Sequence, residues 1–354
     1  MKGSQKIIFL VHNIIMKALF LTAIGQTEIK EIDKPIPKAD EVLLKIGMVG
    51  FCGGDLNGFK GLFELQEYPN VLGHEVGGTI EAMGNQVPNN FKIGDKATVY
   101  PYLNCGKCIS CRKGRRNACQ DNKTMGVRRP GAMTHYISIH WQDLFLSEKL
   151  SLKELALVEP LTVGFHAAAR GRVSSKDKVA VIGCGIVGMG AIASAVNRGA
   201  EVIAIDIDDA KMEIAKKIGV AHTINTNNEN LHEALMRITD GDGPDVIIEA
   251  VGNAITYRAA VDEVAYTGRV VCIGYAKSAV EFNTGIFVRK EIEILGSRNC
   301  TDEFPEVIAY LEAGKFPVEA VISKVVSLED AGAALADWAM NPKGITKIIV
   351  DFEK

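Results

Sequence analysis

At 354 residues, 47% hydrophobic and 23% charged, the chain is long enough for two domains with cores of their own and too apolar for disorder. A formal net charge of −3 and a pI near 6.2 exclude the electrostatic footprint of a nucleic-acid or anionic-membrane binder, leaving small molecules and further copies of the chain as expected partners. No stretch approaches the roughly 20 apolar residues that cross a bilayer, and eight cysteines, half of them clustered and Cys52, Cys184, Cys272 and Cys300 scattered, fit a reduced cytoplasm better than a disulfide framework.

Residues Met1–Ile15 join Lys2 and Lys6 to the apolar run Ile7–Val11, but no small-residue cleavage site follows. Met16–Phe20 reads as an opening strand, so Met16 is the expected natural start and the residues before it an extension of unassigned role. From Met16 to about Leu150, short apolar strands such as Glu41–Val49 and Ala97–Tyr100 are broken by Gly, Pro and Asn, the texture of a β-rich domain. Within it, Phe51-Cys52-Gly53-Gly54-Asp55 and Gly73-His74-Glu75-Val76-Gly77-Gly78 supply a thiol, an imidazole and a carboxylate. Together these make a mixed zinc site able to keep a coordination position open; singly, each reads as structural.

Cys105, Cys108, Cys111 and Cys119 follow, spaced C-x2-C-x2-C-x7-C. Four thiolates in so short a segment suit a closed, structural tetrahedral Zn²⁺. A disulfide pair would need an oxidising compartment, and an iron–sulfur cluster fits poorly with the basic, solvated neighbours Lys107, Lys113, Arg115 and Arg116. His135 and His140, beside Tyr136 and Trp141, read as surface or packing residues and stay unassigned. His166, on the stretch after Glu159-Pro160-Leu161, is the better histidine candidate for a functional site.

From about Val163 the texture changes to strands alternating with helix-length segments: Lys178–Ile182, Glu201–Asp206, Asp245–Ala250, Arg269–Gly274 and Ile292–Gly296. This is α/β patterning, a doubly wound parallel sheet with helices on both faces. Gly183, Gly185, Ile186, Val187 and Gly188 carry G-x-G-x-x-G between the first strand and a small-residue helix, Met189–Arg198, and Asp206 ends the second strand. Strand, glycine turn, helix and distal acid make a dinucleotide fingerprint. Asp206 would bind the ribose hydroxyls and repel a 2′-phosphate, and with no arginine at Ile207, Asp208 or Asp209 the expected cofactor is NAD. Cys184, at an x position, reads as packing. Arg298, just past the last strand, offers a planar fork for a substrate carboxylate, phosphate or hydroxyls, or equally a salt bridge or cofactor contact. Helical stretches at Phe304–Ala313 and Leu328–Asn341 and a strand, Ile345–Phe352, close the chain.

Taken in order, Cys52-Gly53-Gly54-Asp55, Gly73-His74-Glu75, Gly94-Asp95, the four-cysteine lobe, Glu159-Pro160-Leu161 and the glycine fingerprint resemble the zinc-dependent medium-chain alcohol and polyol dehydrogenases, from about Met16 onward. The resemblance implies a GroES-like catalytic domain (16–162, with its structural zinc lobe at 105–119), a Rossmann domain (163–299) and a C-terminal segment (300–354) returning to the first. It implies a catalytic zinc at Cys52, His74 and Glu75, with Glu159 as a further ligand or the partner of the metal's water, and hydride transfer from a substrate hydroxyl to NAD⁺. It also implies a dimer or tetramer, for which Arg269–Gly274 and Ile292–Gly296 are candidate edge strands. Glu159 in place of cysteine looks like the sorbitol and threonine dehydrogenase branches, and the segment around Arg298 resembles sugar-acid dehydrogenases such as that of L-galactonate. The expected reaction is oxidation of a secondary hydroxyl on a polyol or aldonate.

Alternatives are L-threonine 3-dehydrogenase, against which Asn57 in place of histidine argues, and a sugar-alcohol-phosphate dehydrogenase. A non-catalytic NAD-binding protein is the remote one, disfavoured by retention of all four donors. One departure stands out: Gly54 and Asn57 replace the hydroxyl and histidine that commonly relay the alcohol proton. Either Glu159 and water carry that proton, the expected reading, or a substrate hydroxyl does.

Overall fold

The computed structural model describes residues 14–354, so the extension read before Met16 lies, but for Ile14 and Ile15, outside the described residues. The opening strand, Ile15–Ala23, pairs with Gln26–Asp33 in a small antiparallel sheet. The larger β layer runs in the order Leu144–Leu146, Lys96–Val99, Glu75–Met83, Glu41–Gly50, Lys347–Asp351, Ile322–Val326, with Tyr136–His140 also pairing to Glu41–Gly50. Glu41–Gly50 and Glu75–Met83 are antiparallel with Gly50 opposite Glu75, so one strand ends where the other begins. That register brings Cys52, just past the first strand, to His74, just before the second. The closing strand Lys347–Asp351 pairs with Glu41–Gly50, bringing the end of the chain beside the same point.

The second sheet is six-stranded and parallel, in the order His222–Asn225, Glu201–Asp206, Lys178–Ile182, Val246–Glu249, Arg269–Cys272, Glu293–Gly296. In chain order this is 3-2-1-4-5-6, with its switch point at the glycine turn, where such sheets bind their ligands. Val179–Ile182 are buried on both faces, which only helices above and below can achieve. Two expectations change here. Arg269–Cys272 is interior, paired on both sides, so only Glu293–Gly296 is an edge on that flank. His222–Asn225 was not anticipated, being short and polar at its start.

A long helix, Leu152–Arg170, begins with a capping box in which Ser151 and Glu154 exchange side-chain and backbone hydrogen bonds. It runs straight through residues 162 and 163, where the change of texture suggested a boundary. Its Gly164 lies so close to the helix Ile186–Asn197 that a Cβ there would overlap the backbone of Gly190 and Ala191. Small residues on both helices thus allow near contact of their backbones, and Glu159 is tied rigidly to the nucleotide-type unit. The glycine turn itself feeds directly into this helix, which starts at Ile186, three residues before the expected Met189.

Candidate active site

The Sγ atoms of Cys105, Cys108, Cys111 and Cys119 all lie within 4.8 Å of one another. Cys108 Sγ is 3.5 Å from that of Cys111 and 3.9 Å from that of Cys119. A tetrahedron with zinc–sulfur bonds of about 2.3 Å has edges of about 3.8 Å, whereas a disulfide requires about 2.05 Å. None of the cysteines among the described residues is bonded to another. The Cys105 N–H donates to Cys119 Sγ at 3.3 Å and the Cys108 N–H to Cys105 Sγ at 3.4 Å, as thiolates require.

The second cluster joins Cys52, His74 and Glu75, again with ligand atoms within 4.8 Å of one another. Cys52 caps the helix Gly53–Phe59: its Sγ accepts from Gly54 N–H at 3.3 Å and its own N–H donates to Asp55 Oδ2 at 2.8 Å. His74 is buried with no hydrogen-bond partner for Nδ1. Burial works against a charged His74, but the thiol of Cys52 and the carboxylates of Asp55 and Glu159 prevail and hold its pKa well above the usual range. The neighbourhood holds three buried carboxylates, Asp55, Glu75 and Glu159, against one buried lysine, Lys347. Burial raises the carboxyl pKa of Asp55 and of Glu159. A thiol, an imidazole nitrogen without a partner and three carboxyl groups set against one lysine make a donor set that a divalent cation satisfies, so the residues fit the zinc that the sequence implies.

Lys347 went unnoticed in the sequence. Its Nζ donates to both Glu75 oxygens, at 2.7 and 2.6 Å, and to the Phe51 carbonyl at 2.9 Å. Glu75 therefore joins the cluster with its carboxylate already shared with an ammonium group. Gly50, opposite Glu75, makes room for this: a Cβ there would overlap Glu75 Oε2. Glu159, on the long helix, is not part of the three-residue cluster. Its Oε1 instead accepts a hydrogen bond from the Tyr102 hydroxyl. Burial, then the Glu159 charge, push the Tyr102 phenol well up, so it remains a donor.

At the nucleotide-type sheet, Gly183 adopts φ 97°, and a Cβ on Gly188 would overlap the Gly183 carbonyl oxygen, so both positions require glycine. Gly185 caps the helix Ile186–Asn197 with no side chain spent on its first N–H groups, and a Cβ there would meet nothing within 4 Å. This is an open cradle for a pyrophosphate at a helix N-terminus, with Ile186 and Val187 opening the helix. The Asp206 carboxylate is held by three backbone N–H groups: Cys184 at 2.6 Å, Ile207 at 2.7 Å and Asp208 at 3.0 Å. Further along the strand ends is a cleft of about 530 Å³ whose lining includes Gly274, Tyr275, Ser297 and Arg298 and, from the cysteine lobe, Arg115 and Asn117. Arg298 Nη1 donates to the Cys119 carbonyl at 3.4 Å.

Known proteins share this fold. The sequence profile of the alcohol dehydrogenase GroES-like domain matches residues 38–149, and that of the zinc-binding dehydrogenases matches residues 187–313. The chain is 34% identical to sorbitol dehydrogenase of Bacillus subtilis over 90% of its length and 92% of the relative's. It is 31% identical to L-galactonate-5-dehydrogenase of Escherichia coli over 91% and 95%. The chain belongs to the zinc-type medium-chain alcohol dehydrogenases. It is an oxidoreductase acting on CH–OH donors. Among solved structures, an E. coli alcohol dehydrogenase complexed with NADH superposes with a TM-score of 0.88 (27% identity, 96% of this chain and 99% of that one). A zinc-binding dehydrogenase of Sinorhizobium meliloti bound to NADP does so at 0.89 (26% identity, 95% and 99%).

In this dehydrogenase the histidines divide clearly. His140 Nδ1 accepts from Gln142 N–H in a surface turn, and half-buried His135 contacts the Lys17 carbonyl. His166 is buried between Asn117 and Glu303. Tyr102, Lys347, Asn117 and Glu303 carry no motif, and each reaches its partner across a long stretch of chain. A lysine opening an apolar strand was their single visible clue.

Proposed function

We propose that the protein is an NAD-dependent zinc dehydrogenase that oxidises a secondary hydroxyl of a polyol or sugar acid to a ketose or keto-acid. The observation that carries this is the cluster of half-buried Cys52 with buried His74 and Glu75 in the same molecule as the open glycine cradle and the cleft at the strand ends. Cys52 and His74 would hold the catalytic zinc, which polarises an alcohol oxygen, while the nicotinamide accepts the hydride. Lys347 holds the Glu75 carboxylate in place by donating to both of its oxygens. Tyr102 occupies Glu159 Oε1, leaving Oε2 to take the hydroxyl proton that Gly54 has no group to relay. Cys105, Cys108, Cys111 and Cys119 would hold a second, structural zinc, closing the lobe.

Asp206 favours NAD over NADP, since its carboxylate is locked by three N–H groups where a 2′-phosphate would arrive. Arg298, in the cleft wall, suits an acidic substrate, in keeping with the L-galactonate relative. The edge strand Glu293–Gly296, with Ile294 exposed, supports a homo-oligomer built along that flank. Unbonded cysteines favour the cytoplasm.

The test is reduced-cofactor formation by zinc-loaded protein across polyols, aldonates, sugar phosphates and threonine, with NAD⁺ and NADP⁺ in parallel. A clear rate with a polyol or aldonate and NAD⁺ is expected. Rates confined to threonine, to a sugar phosphate or to NADP⁺ would overturn the corresponding part.

A further inference from the structure

A buried polar chain crosses the molecule behind the cleft. Glu303 Oε1 lies 2.6 Å from His166 Nδ1, His166 Nε2 lies 3.0 Å from Asn117 Nδ2, and Asn117 Nδ2 donates to the Arg298 carbonyl at 2.8 Å. Glu303, His166 and Asn117 are all at most 8% exposed. The proton positions follow from the far end. A carbonyl can only accept, so the Asn117 group facing Arg298 must be the NH₂ and not the oxygen. The second proton of that NH₂ then points at His166 Nε2, which must accept. The ring proton therefore sits on Nδ1 and is donated to Glu303. The Glu303 carboxylate also accepts from the backbone N–H groups of Thr301, at 2.7 Å, and Asp302, at 3.0 Å, so every link has one defined direction.

The four linked residues belong to three separate pieces of chain. Asn117 is in the cysteine lobe and His166 on the long helix. Arg298 follows the edge strand, and Glu303 precedes the helix Phe304–Glu312. A second tie runs back the other way, from Arg298 Nη1 to the Cys119 carbonyl. Arg115, Asn117 and Ala118 of the lobe and Gly296, Ser297 and Arg298 thus line one cleft. That cleft lies over the ends of Arg269–Cys272 and Glu293–Gly296. It is on the side of the glycine turn away from Asp206, so a dinucleotide with its adenosine ribose at Asp206 would lay its nicotinamide end there.

We propose that Asn117 is a positioning residue for the nicotinamide end of the cofactor. Through the Glu303–His166–Asn117 chain it locks the cysteine lobe onto residues 296–298, so the lobe is a working wall of the cleft as well as a staple. This inference rests on the reading of the glycine turn and cleft as a dinucleotide site.

The experiment is NADH binding, followed by fluorescence, on the zinc-loaded full-length protein and on Asn117→Ala, the near-isosteric Asn117→Asp, and His166→Gln. Zinc content and thermal midpoint are recorded for each. Both Asn117 variants lose the donor to the Arg298 carbonyl, and each is expected to weaken NADH binding about tenfold, the scale of a buried carbonyl left unpaired. Zinc content should stay at the parent value, and KM for the cofactor should rise more than kcat falls. Asn117→Asp should do at least as badly as Asn117→Ala despite its matching volume, because donation, not filling, is what counts. His166→Gln acts on the lobe from the long helix and should weaken binding in the same sense, though less. Parent-like affinity in both Asn117 variants would overturn the positioning role, as would weakened binding only in proportion to lost zinc or lost stability. A parent protein that binds neither NADH nor NADPH would instead sink the dinucleotide reading itself.

Discussion

The two donor clusters are built on opposite plans. The lobe draws four identical ligands from residues 105–119, ties them with local N–H to sulfur contacts, and asks little of the rest of the chain. The Cys52 cluster draws unlike donors from two strand ends and borrows Lys347 from a position 272 residues beyond Glu75. Around a metal, four sulfurs would close a coordination sphere and leave no room for chemistry, whereas a thiol, an imidazole and a lysine-held carboxylate would leave a position open. Donors drawn from one short segment would make a staple; donors drawn from distant segments would make a site whose charge balance the whole fold must maintain.

The sharpest way to break this contrast is Cys52→Ser. Turnover should fall by on the order of 10³-fold or more, the scale of losing Lewis-acid assistance, with the thermal midpoint nearly unchanged. Full turnover in steady-state assays would refute the assignment. Next comes Lys347→Met, which leaves Glu75 buried and unpaired. It should cost about 3–5 kcal/mol in urea unfolding, and the double variant Lys347→Met/Glu75→Gln should regain most of that. Equal stability in the single variant would mean that Glu75 does not rely on Lys347.

Cys105→Ser attacks the other plan. Metal analysis should show one fewer zinc per chain, and scanning calorimetry a lower midpoint. At saturating cofactor, kcat should stay within about threefold of the parent, because the loss falls on folding and on the cleft wall and not on the reacting atoms. The smallest effect is expected for Gly54→Ser. A Cβ at Gly54 would meet only Cys52 Sγ, at 3.7 Å, so the side chain fits. If Glu159 already carries the proton, kcat should change by less than about threefold. A gain of 10²-fold, the low end of general acid–base catalysis, would show that the missing hydroxyl limits the enzyme.

Much of the fold is legible in the sequence. Lys178–Ile182 and Glu201–Asp206 appear with the expected bounds because fully buried parallel strands are written as unbroken runs of Val, Ile and Ala. The helix after the glycine turn was placed three residues late, since Ile186 and Val187 read as part of the turn. Arg269–Gly274 reads as a candidate edge, whereas the strand Arg269–Cys272 is interior, because strand order is a property of the sheet and leaves no mark on a single strand. Within the site, Cys52, His74 and Glu75 are legible as candidate donors and Glu159 as a further ligand or the partner of the metal's water, but that Tyr102 donates to Glu159 is not.

What the chain determined by itself is therefore local: the cysteine spacing, the glycine turn with its distal acid, and the apolar runs of the parallel sheet. These need only neighbours in sequence, since a coordination sphere, a turn and a strand are each set within a few residues. The tertiary structure alone decided that Lys347 holds Glu75, that Tyr102 holds Glu159, and that Glu303, His166 and Asn117 tie the lobe to Arg298. A buried polar group must find a partner wherever the fold supplies one, and no local pattern records which distant residue that will be.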